Sequence, residues 1–219
     1  MKTAVVFLVF TGAIWGQNPA PTSQAGLPAS QQGDKIKINP PPGVTVAEAD
    51  QKALHTGLTR LQTKIDALKG NPHLADVAVF SKAVSYALDG NEFFSPDDVF
   101  KAKELLRIAN ERADQLAHGD APWTRATGLV ARGYISKMDG SVQPYGLVVP
   151  PSYTPDAPHK WRVDVWFHGR SDTLSEVNFL WDRMRNPGEF QPRDTIVLHV
   201  YGRYSNASKF AGEVDMFEA

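Results

Sequence analysis

The residues best suited to chemistry follow an apolar, strand-like segment near the carboxyl end of the chain. This segment, 163–167, leads directly into the turn His168–Ser171. Backbone amides in such a turn can donate hydrogen bonds to an oxygen that becomes negative during a reaction, and each good donor contributes about 3–4 kcal/mol. Gly169 has no Cβ, which leaves room for a ligand beside the backbone. The turn therefore has the composition of an anion-stabilising loop.

A second polar group follows the next strand of the sequence. We expect a strand over 194–200, and ligands of open α/β sheets lie at the carboxyl ends of the strands. Thr173 and Glu176 have the spacing of a capping box, which predicts a helix over 173–185 with its positive end toward the turn. The residues expected to line a cleft at this edge are His168, Gly169, Tyr201, Gly202, Arg203 and Tyr204.

Each of these residues also has a simpler explanation. His168 can anchor the loop by hydrogen bonding, Arg170 can form a surface ion pair with Asp172 or Glu176, and 201–204 can form only a turn. His199, inside an apolar strand, is interpreted as a core histidine with its hydrogen bonds satisfied. The acids of the last helix are interpreted as a solvated face: Glu213, Asp215 and Glu218.

Composition excludes several classes of function. The 219 residues are 42% hydrophobic and carry a net charge of −1, so the chain lacks the basic surface that nucleic acid requires. The absence of cysteine excludes disulfides and thiolate metal sites. The six histidines show no metal-ligand spacing. We therefore expect neither a metal nor a cofactor.

The amino terminus has the pattern of an export signal. Lys2 precedes an apolar run and small residues, which predicts a signal peptide over 1–16 with cleavage near Gly16 or Ala20. An uncleaved membrane anchor is the alternative. Residues 17–44 are rich in Pro, Ser, Gln, Ala and Gly and are predicted to be a linker. The expected location is therefore secreted or periplasmic, with no stable membrane span after cleavage.

The rest of the chain is predicted to be a helical extension, 45–119, followed by an α/β portion, 120–219. Apolar residues at three- and four-residue spacing predict helices over 46–69, 73–88 and 96–117 that form a small bundle. Capping signals start the first at Thr45 with Glu48 and the third at Ser95. The Asp139-Gly140 dipeptide then predicts a hairpin of strands 128–136 and 142–149.

The remaining elements are a strand over 161–168, the helix over 173–185, the strand over 194–200, and a helix from about Ser205 or Asn206. A hairpin followed by this alternation predicts a mixed sheet whose later strands are parallel. The continuous apolar run 196–198 suits a strand covered on both faces. The alternating pattern of 162–167 suits a half-exposed strand instead.

Three segments resemble exported prolyl-oligopeptidase-like members of the α/β-hydrolase superfamily: GYISKMDGSVQPYGLVVPPSY, VDVWFHGRSDTLSEVNFL and VLHVYGRYSNASKFAGEVDMFEA. The resemblance covers Trp123 to Ala219. It implies a serine hydrolase acting on ester or peptide bonds, with one oxyanion-hole amide at Arg170 or Ser171. It also implies an incomplete α/β-hydrolase-type sheet, in which the third strand lies between the fourth strand and a fifth that these residues do not supply.

No Gly-x-Ser-x-Gly elbow occurs in the 219 residues, and the family's triad order places Ser, Asp and His beyond them. We therefore expect the amino-terminal part of a longer hydrolase, inactive by itself. An unpaired edge of the third strand would favour self-association. The alternative is a non-catalytic exported binding or scaffold protein with a helical interaction module.

Overall fold

Five α-helices and one four-stranded sheet make up the part of the chain described by the computed structural model, residues 40–204 and 209–219. The predicted signal peptide and most of the predicted linker lie outside these residues. The elements in chain order are α1 Glu48–Ala67, α2 Ala75–Asp89, α3 Pro96–Ala117, β1 Gly128–Ile135, β2 Val142–Val149, β3 Arg162–Trp166, α4 Glu176–Arg183, β4 Thr195–Val200 and α5 Ala211–Glu218.

The three predicted amino-terminal helices are confirmed, and they pack against one another. α3 begins at Pro96, and the Asp98 carboxylate accepts hydrogen bonds from the Ser95 amide at 3.1 Å and the Ser95 hydroxyl at 3.0 Å. The capping box predicted at Thr45 is wrong, because α1 starts two residues later with Ala47 in the cap position. Acidic residues in the first turn of α1 face the positive end of its dipole instead.

The mixed α/β sheet is confirmed and has the strand order β1-β2-β4-β3. β1 and β2 form the predicted antiparallel hairpin, and Gly140 supplies the positive φ of 73° in its turn. β4 lies inside the sheet, antiparallel to β2 and parallel to β3. Its continuous apolar run is accordingly buried, whereas β3 is a half-exposed edge strand. β3 ends at Trp166, so Phe167 and His168 belong to the following loop.

The helices of the α/β portion are shorter than predicted. α4 begins at Glu176 because the Ser175 hydroxyl accepts the Asn178 amide at 3.4 Å, so the predicted capping box of Thr173 and Glu176 is wrong. α5 begins at Ala211, since Phe210 has a φ of 52° and ends any helical run there. The predicted start near residues 205 and 206 lies outside the described residues.

α2 and α4 cover one face of the sheet, and glycines on the strands let them come close. A Cβ at Gly133 would lie 2.3 Å from the Ala75 carbonyl oxygen, and one at Gly146 would lie 2.6 Å from Cγ of Arg183. α3 packs against both α2 and α4. One continuous apolar core therefore joins the helical extension to the sheet. None of the described helices has the length and apolar character needed to cross a membrane.

A buried carboxylate fastens α2 to β1. Asp76 is 1% exposed and accepts hydrogen bonds from Nε1 of Trp123 at 2.9 Å, Nη2 of Arg132 at 2.9 Å and the amide of Gly133 at 3.0 Å. Nη1 of Arg112 donates to the Asp76 main-chain carbonyl at 3.1 Å. The partners come from α3, from β1 and from the turn around Trp123, so this one residue joins α2 to three other segments.

Asp76→Asn is expected to lower the free energy of unfolding by about 3 kcal/mol, because it breaks a buried ion pair and leaves Arg132 without its partner. Urea unfolding followed by circular dichroism measures this. Asp66→Asn, on the exposed side of α1 where Asp66 pairs with Lys69, is the control and should cost less than about 0.5 kcal/mol. Equal, small losses in both variants would show that the Asp76 contacts do not hold α2 to the sheet.

His199 in β4 is buried, but only one of its ring nitrogens is satisfied. Nη1 of Arg183 lies 2.8 Å from Nδ1, whereas Nε2 has no hydrogen-bond partner among the described residues. The interpretation as a core histidine is confirmed in its burial, but the expectation of satisfied hydrogen bonds is wrong. Burial, and then the nearby Arg183 charge, lower the pKa of His199 to about 4.

The pKa of His199 is lower in the folded protein than in the unfolded chain. Between about pH 6.5 and pH 4 the histidine is therefore protonated in the unfolded state but neutral in the folded state. The stability contribution is complete above pH 6.5 and is lost as the pH falls. When the pH is lowered from 7.5 to 4.5, the free energy of unfolding of His199→Gln should therefore fall by on the order of 2 kcal/mol less than that of the wild type. Urea unfolding at the two pH values tests this, and parallel losses in both proteins would contradict it.

Candidate functional site

The loops that follow β3 and β4 are joined by hydrogen bonds at the carboxyl edge of the sheet. Nε2 of His168 donates to the Tyr201 carbonyl oxygen at 2.7 Å. The hydroxyl of Tyr204 donates to the carbonyl of Asp172 at 2.9 Å, and that of Tyr201 donates to the carbonyl of Leu174 at 3.0 Å. The two groups of residues singled out from the sequence therefore lie side by side.

His168 acts as a link within this edge. Besides the bond to Tyr201, its Nδ1 lies 2.8 Å from the carbonyl oxygen of Gly169. Both ring nitrogens thus face main-chain carbonyls, and the ring packs near Phe179 and Tyr201. This is the arrangement expected if the histidine anchors the loop.

The turn carries the two candidate oxyanion-hole residues, of which Arg170 is exposed and Ser171 is half-buried. Nε of Arg170 lies 3.2 Å from Oδ1 of Asp172, which is the surface ion pair considered as an alternative. Within the described residues, the amide of Ser171 donates to no backbone carbonyl. No described atom lies within 4 Å of a Cβ added at Gly169, so the fold does not require glycine there.

Ser171 lines a shallow depression of about 420 Å³ between its own loop, α3 and α4. At the base of the depression, Nζ of Lys101 bridges Oδ1 of Asp98 and Oδ1 of Asn178, at 2.7 Å each. Hydrogen bonding to Lys101, the Phe94 amide and Asn178 outweighs burial and lowers the pKa of Asp98. The depression is therefore polar, and its charges are matched.

The loop after β4 contains a run of left-handed residues. Gly202, Arg203 and Tyr204 have φ values of 65°, 59° and 70°. For residues with a Cβ this conformation costs roughly 1–2 kcal/mol each, so it needs compensating contacts. Backbone strain of this kind often accompanies functional sites.

Arg203 supplies much of that compensation. Its guanidinium contacts Asp215 at 3.0 Å, Asp139 at 2.5 Å and the hydroxyl of Ser136 at 3.0 Å. Hydrogen bonds to Asp215 and Asp139 raise the pKa of Arg203, and hydrogen bonds from Ser141 and Arg203 lower the pKa of Asp139. Arg203 therefore ties its loop to the hairpin and to α5.

The acids of α5 are not a uniformly solvated face, as the sequence pattern indicated. Asp215 is 2% exposed because it pairs with Arg203. Glu218 accepts hydrogen bonds from the Ser136 hydroxyl at 2.7 Å and the Lys137 amide at 3.0 Å. The prediction is wrong for these two residues, since their partners come from the distant hairpin and loop.

A cavity of about 300 Å³ opens beside the Arg203 loop, between α2, the hairpin and the start of α4. It combines three of the predicted site residues with others that sequence reasoning missed. Its lining residues are Lys82, Tyr86, Glu92, Asp139, Ser141, Gln143, Glu176, Tyr201, Arg203 and Tyr204. Burial raises the pKa of Tyr204 to about 12 and that of Tyr201 further, so both phenols are neutral.

The missed residues include a buried ion pair. Nζ of Lys82 lies 2.6 Å from Oε1 of Glu176 and donates to the Val142 carbonyl at 2.5 Å. Glu176 is 7% exposed, and its Oε2 has no hydrogen-bond partner among the described residues. Burial raises the pKa of Glu176, although the charge of Lys82 opposes this effect. Burial also raises the pKa of Glu92. No local spacing in the sequence connects Lys82 with Glu176.

The described residues contain no group of three or more His, Asp or Glu side chains arranged to hold a metal. Comparison of the chain with protein-family models, with curated proteins and with solved structures gave no match. The resemblance to prolyl-oligopeptidase-like proteins therefore stays a prediction based on the residues alone.

Tyr204→Phe is expected to loosen the loop after β3, because it removes the hydrogen bond to the Asp172 carbonyl. Amide hydrogen exchange in 168–173 should accelerate roughly fivefold, which corresponds to about 1 kcal/mol, while global stability changes little. Tyr153→Phe is the matched control, since the Tyr153 hydroxyl makes no hydrogen bond among the described residues. Unchanged exchange in the Tyr204 variant would show that this bond does not restrain the loop.

Proposed function

We propose that this chain supplies the oxyanion-hole part of an exported serine hydrolase that acts on ester or peptide bonds. In this proposal the loop His168–Ser171 donates a backbone amide to the carbonyl oxygen under attack. The nucleophilic serine and its acid and base partners come from outside these 219 residues, in which the elbow motif is absent.

The observation that carries the proposal is the position of the Ser171 amide. It follows an edge strand whose only described neighbour is β4, and it donates to no backbone carbonyl within the described residues. The strand order β1-β2-β4-β3 supports the proposal as well, because the resemblance implies a third strand beside the fourth with its other edge open. Export rests on the pattern of residues 1–16.

The role of the loop follows from the charge that acyl transfer creates. Attack by a serine oxygen converts the carbonyl into a tetrahedral oxyanion, and the collapse of this intermediate releases the alcohol or amine. A fixed N–H stabilises the oxyanion more than the neutral carbonyl, which lowers the barrier. His168 contributes by holding the loop against Tyr201, so it is a positioning residue.

A second candidate function is a non-catalytic binding module. The continuous core that joins the helical extension to the sheet favours it, because such a core suits a domain that is stable without further strands. A fluorophosphonate probe distinguishes the candidates when it is applied to the longest in-frame protein. Labelling at a serine beyond residue 219 supports the hydrolase, and a native stop codon at that point in sound genomic sequence would exclude it.

The amide itself is tested with two substitutions at one position in that longer protein. Ser171→Pro removes the N–H, and Ser171→Ala keeps it. We expect kcat for an activated ester to fall about 100- to 1000-fold in the proline variant only. An unchanged thermal transition in both variants confirms that the fold is intact. Equal activity of the two variants would remove Ser171 from the oxyanion hole.

A further inference from the structure

The charged donors that line the 300 Å³ cavity already have partners. Lys82 donates to Glu176 and to the Val142 carbonyl, and Arg203 donates to Asp139, Asp215 and Ser136. The hydroxyls of Tyr201, which is buried, and Tyr204, which is half-buried, donate to main-chain carbonyls of the neighbouring loop. A ligand in this cavity would therefore find few free donors.

Acceptors, in contrast, remain free around the same space. Oε2 of Glu176 is buried without a partner. The carboxylate of Glu92 forms no ion pair or side-chain hydrogen bond among the described residues. Because the hydroxyls of Tyr201 and Tyr204 are used as donors, their oxygen lone pairs stay open as acceptors.

The charges that line the cavity also favour a cation, because negative side chains outnumber positive ones. Three carboxylates face two cations, and Glu92 is the carboxylate left without a counter-charge. Lys82 is matched by Glu176, and Arg203 is matched by Asp139 and the buried Asp215. The two glutamates also repel one another, which adds to the effect of burial on Glu176. A cation entering the cavity would relieve this repulsion.

We propose that this cavity binds a primary ammonium group, held by the carboxylates of Glu92 and Glu176 and by the oxygens of Tyr201 and Tyr204. A primary ammonium offers three donors and no acceptor, which complements a wall of free acceptors. Tyrosine rings at the wall also attract organic cations through their faces. The volume is that of a small ligand site, suited to an alkylammonium such as a lysine side chain. This binding does not depend on the proposed hydrolysis.

The test is an NMR titration of the whole chain with butylammonium, following the amide signals of Lys82, Gln143 and Tyr201. A probe with five heavy atoms is expected to bind with Kd on the order of 1 mM. Butanol, which is neutral, and tetramethylammonium, which has no donor, should bind at least about tenfold more weakly. Glycinamide is titrated as a mimic of the amino terminus of a peptide. A lower Kd for glycinamide than for butylammonium would identify a peptide amino terminus, and not a lysine side chain, as the source of the ammonium group.

Glu92→Gln keeps the shape of the side chain and removes its charge, and should weaken butylammonium binding about tenfold. Glu189→Gln, at an exposed carboxylate outside the cavity, is the matched control and should bind like the wild type. Butanol or tetramethylammonium binding as tightly as butylammonium would overturn the proposal, as would the absence of saturable binding in the wild type. These wild-type arms decide the matter even if the Glu92 variant does not fold.

Discussion

The buried carboxylate of Asp76 is the interaction on which the rest of the structure depends. Its oxygens accept hydrogen bonds from the indole N–H of Trp123 and from the guanidinium and main-chain amide of two adjacent residues of β1, both segments being distant from α2 in sequence. A buried charge is tolerated only when it is fully paired and hydrogen bonded. Its main-chain carbonyl also accepts Arg112, whose guanidinium lies between the rings of Phe80 and Trp123. Burial lowers the pKa of this arginine to about 10, still well above neutrality, so the network stays charged.

Fixing α2 on the sheet also determines the cavity. Lys82 lies on α2, and it reaches Glu176 at the start of α4 only because both helices cover the same face of the sheet. The close approach that brings them there requires a glycine where α2 crosses β1 and another where α4 crosses β2. The charges around the cavity are thus a consequence of helix docking. A helical extension that folded separately from the sheet would not create this site.

Local patterns in the sequence were sufficient to predict most of the elements. The leucine spacing of α1, the Asp139-Gly140 turn and the apolar run of β4 each reflect burial within one segment, which periodicity reports directly. Interactions between segments were not visible. Thr173 looked like the cap of α4 because Glu176 follows at the right spacing, but Glu176 pairs with Lys82, and Ser175 caps the helix. Side-chain partners so far apart in sequence leave no local signal.

The loop after β4 explains why the candidate site was only partly foreseen. Its position at the carboxyl edge follows from strand order, but its shape depends on three successive left-handed residues, two of which carry side chains. Such a conformation is unfavourable in isolation and persists only where contacts fix it. Here the contacts are the ion pairs of Arg203 with Asp139 and Asp215, and the hydrogen bond of Tyr204 to the neighbouring loop. Asp215, which the sequence pattern placed on a solvated face, therefore helps to shape the site, because its ion pair with Arg203 holds the backbone in a conformation it would otherwise leave.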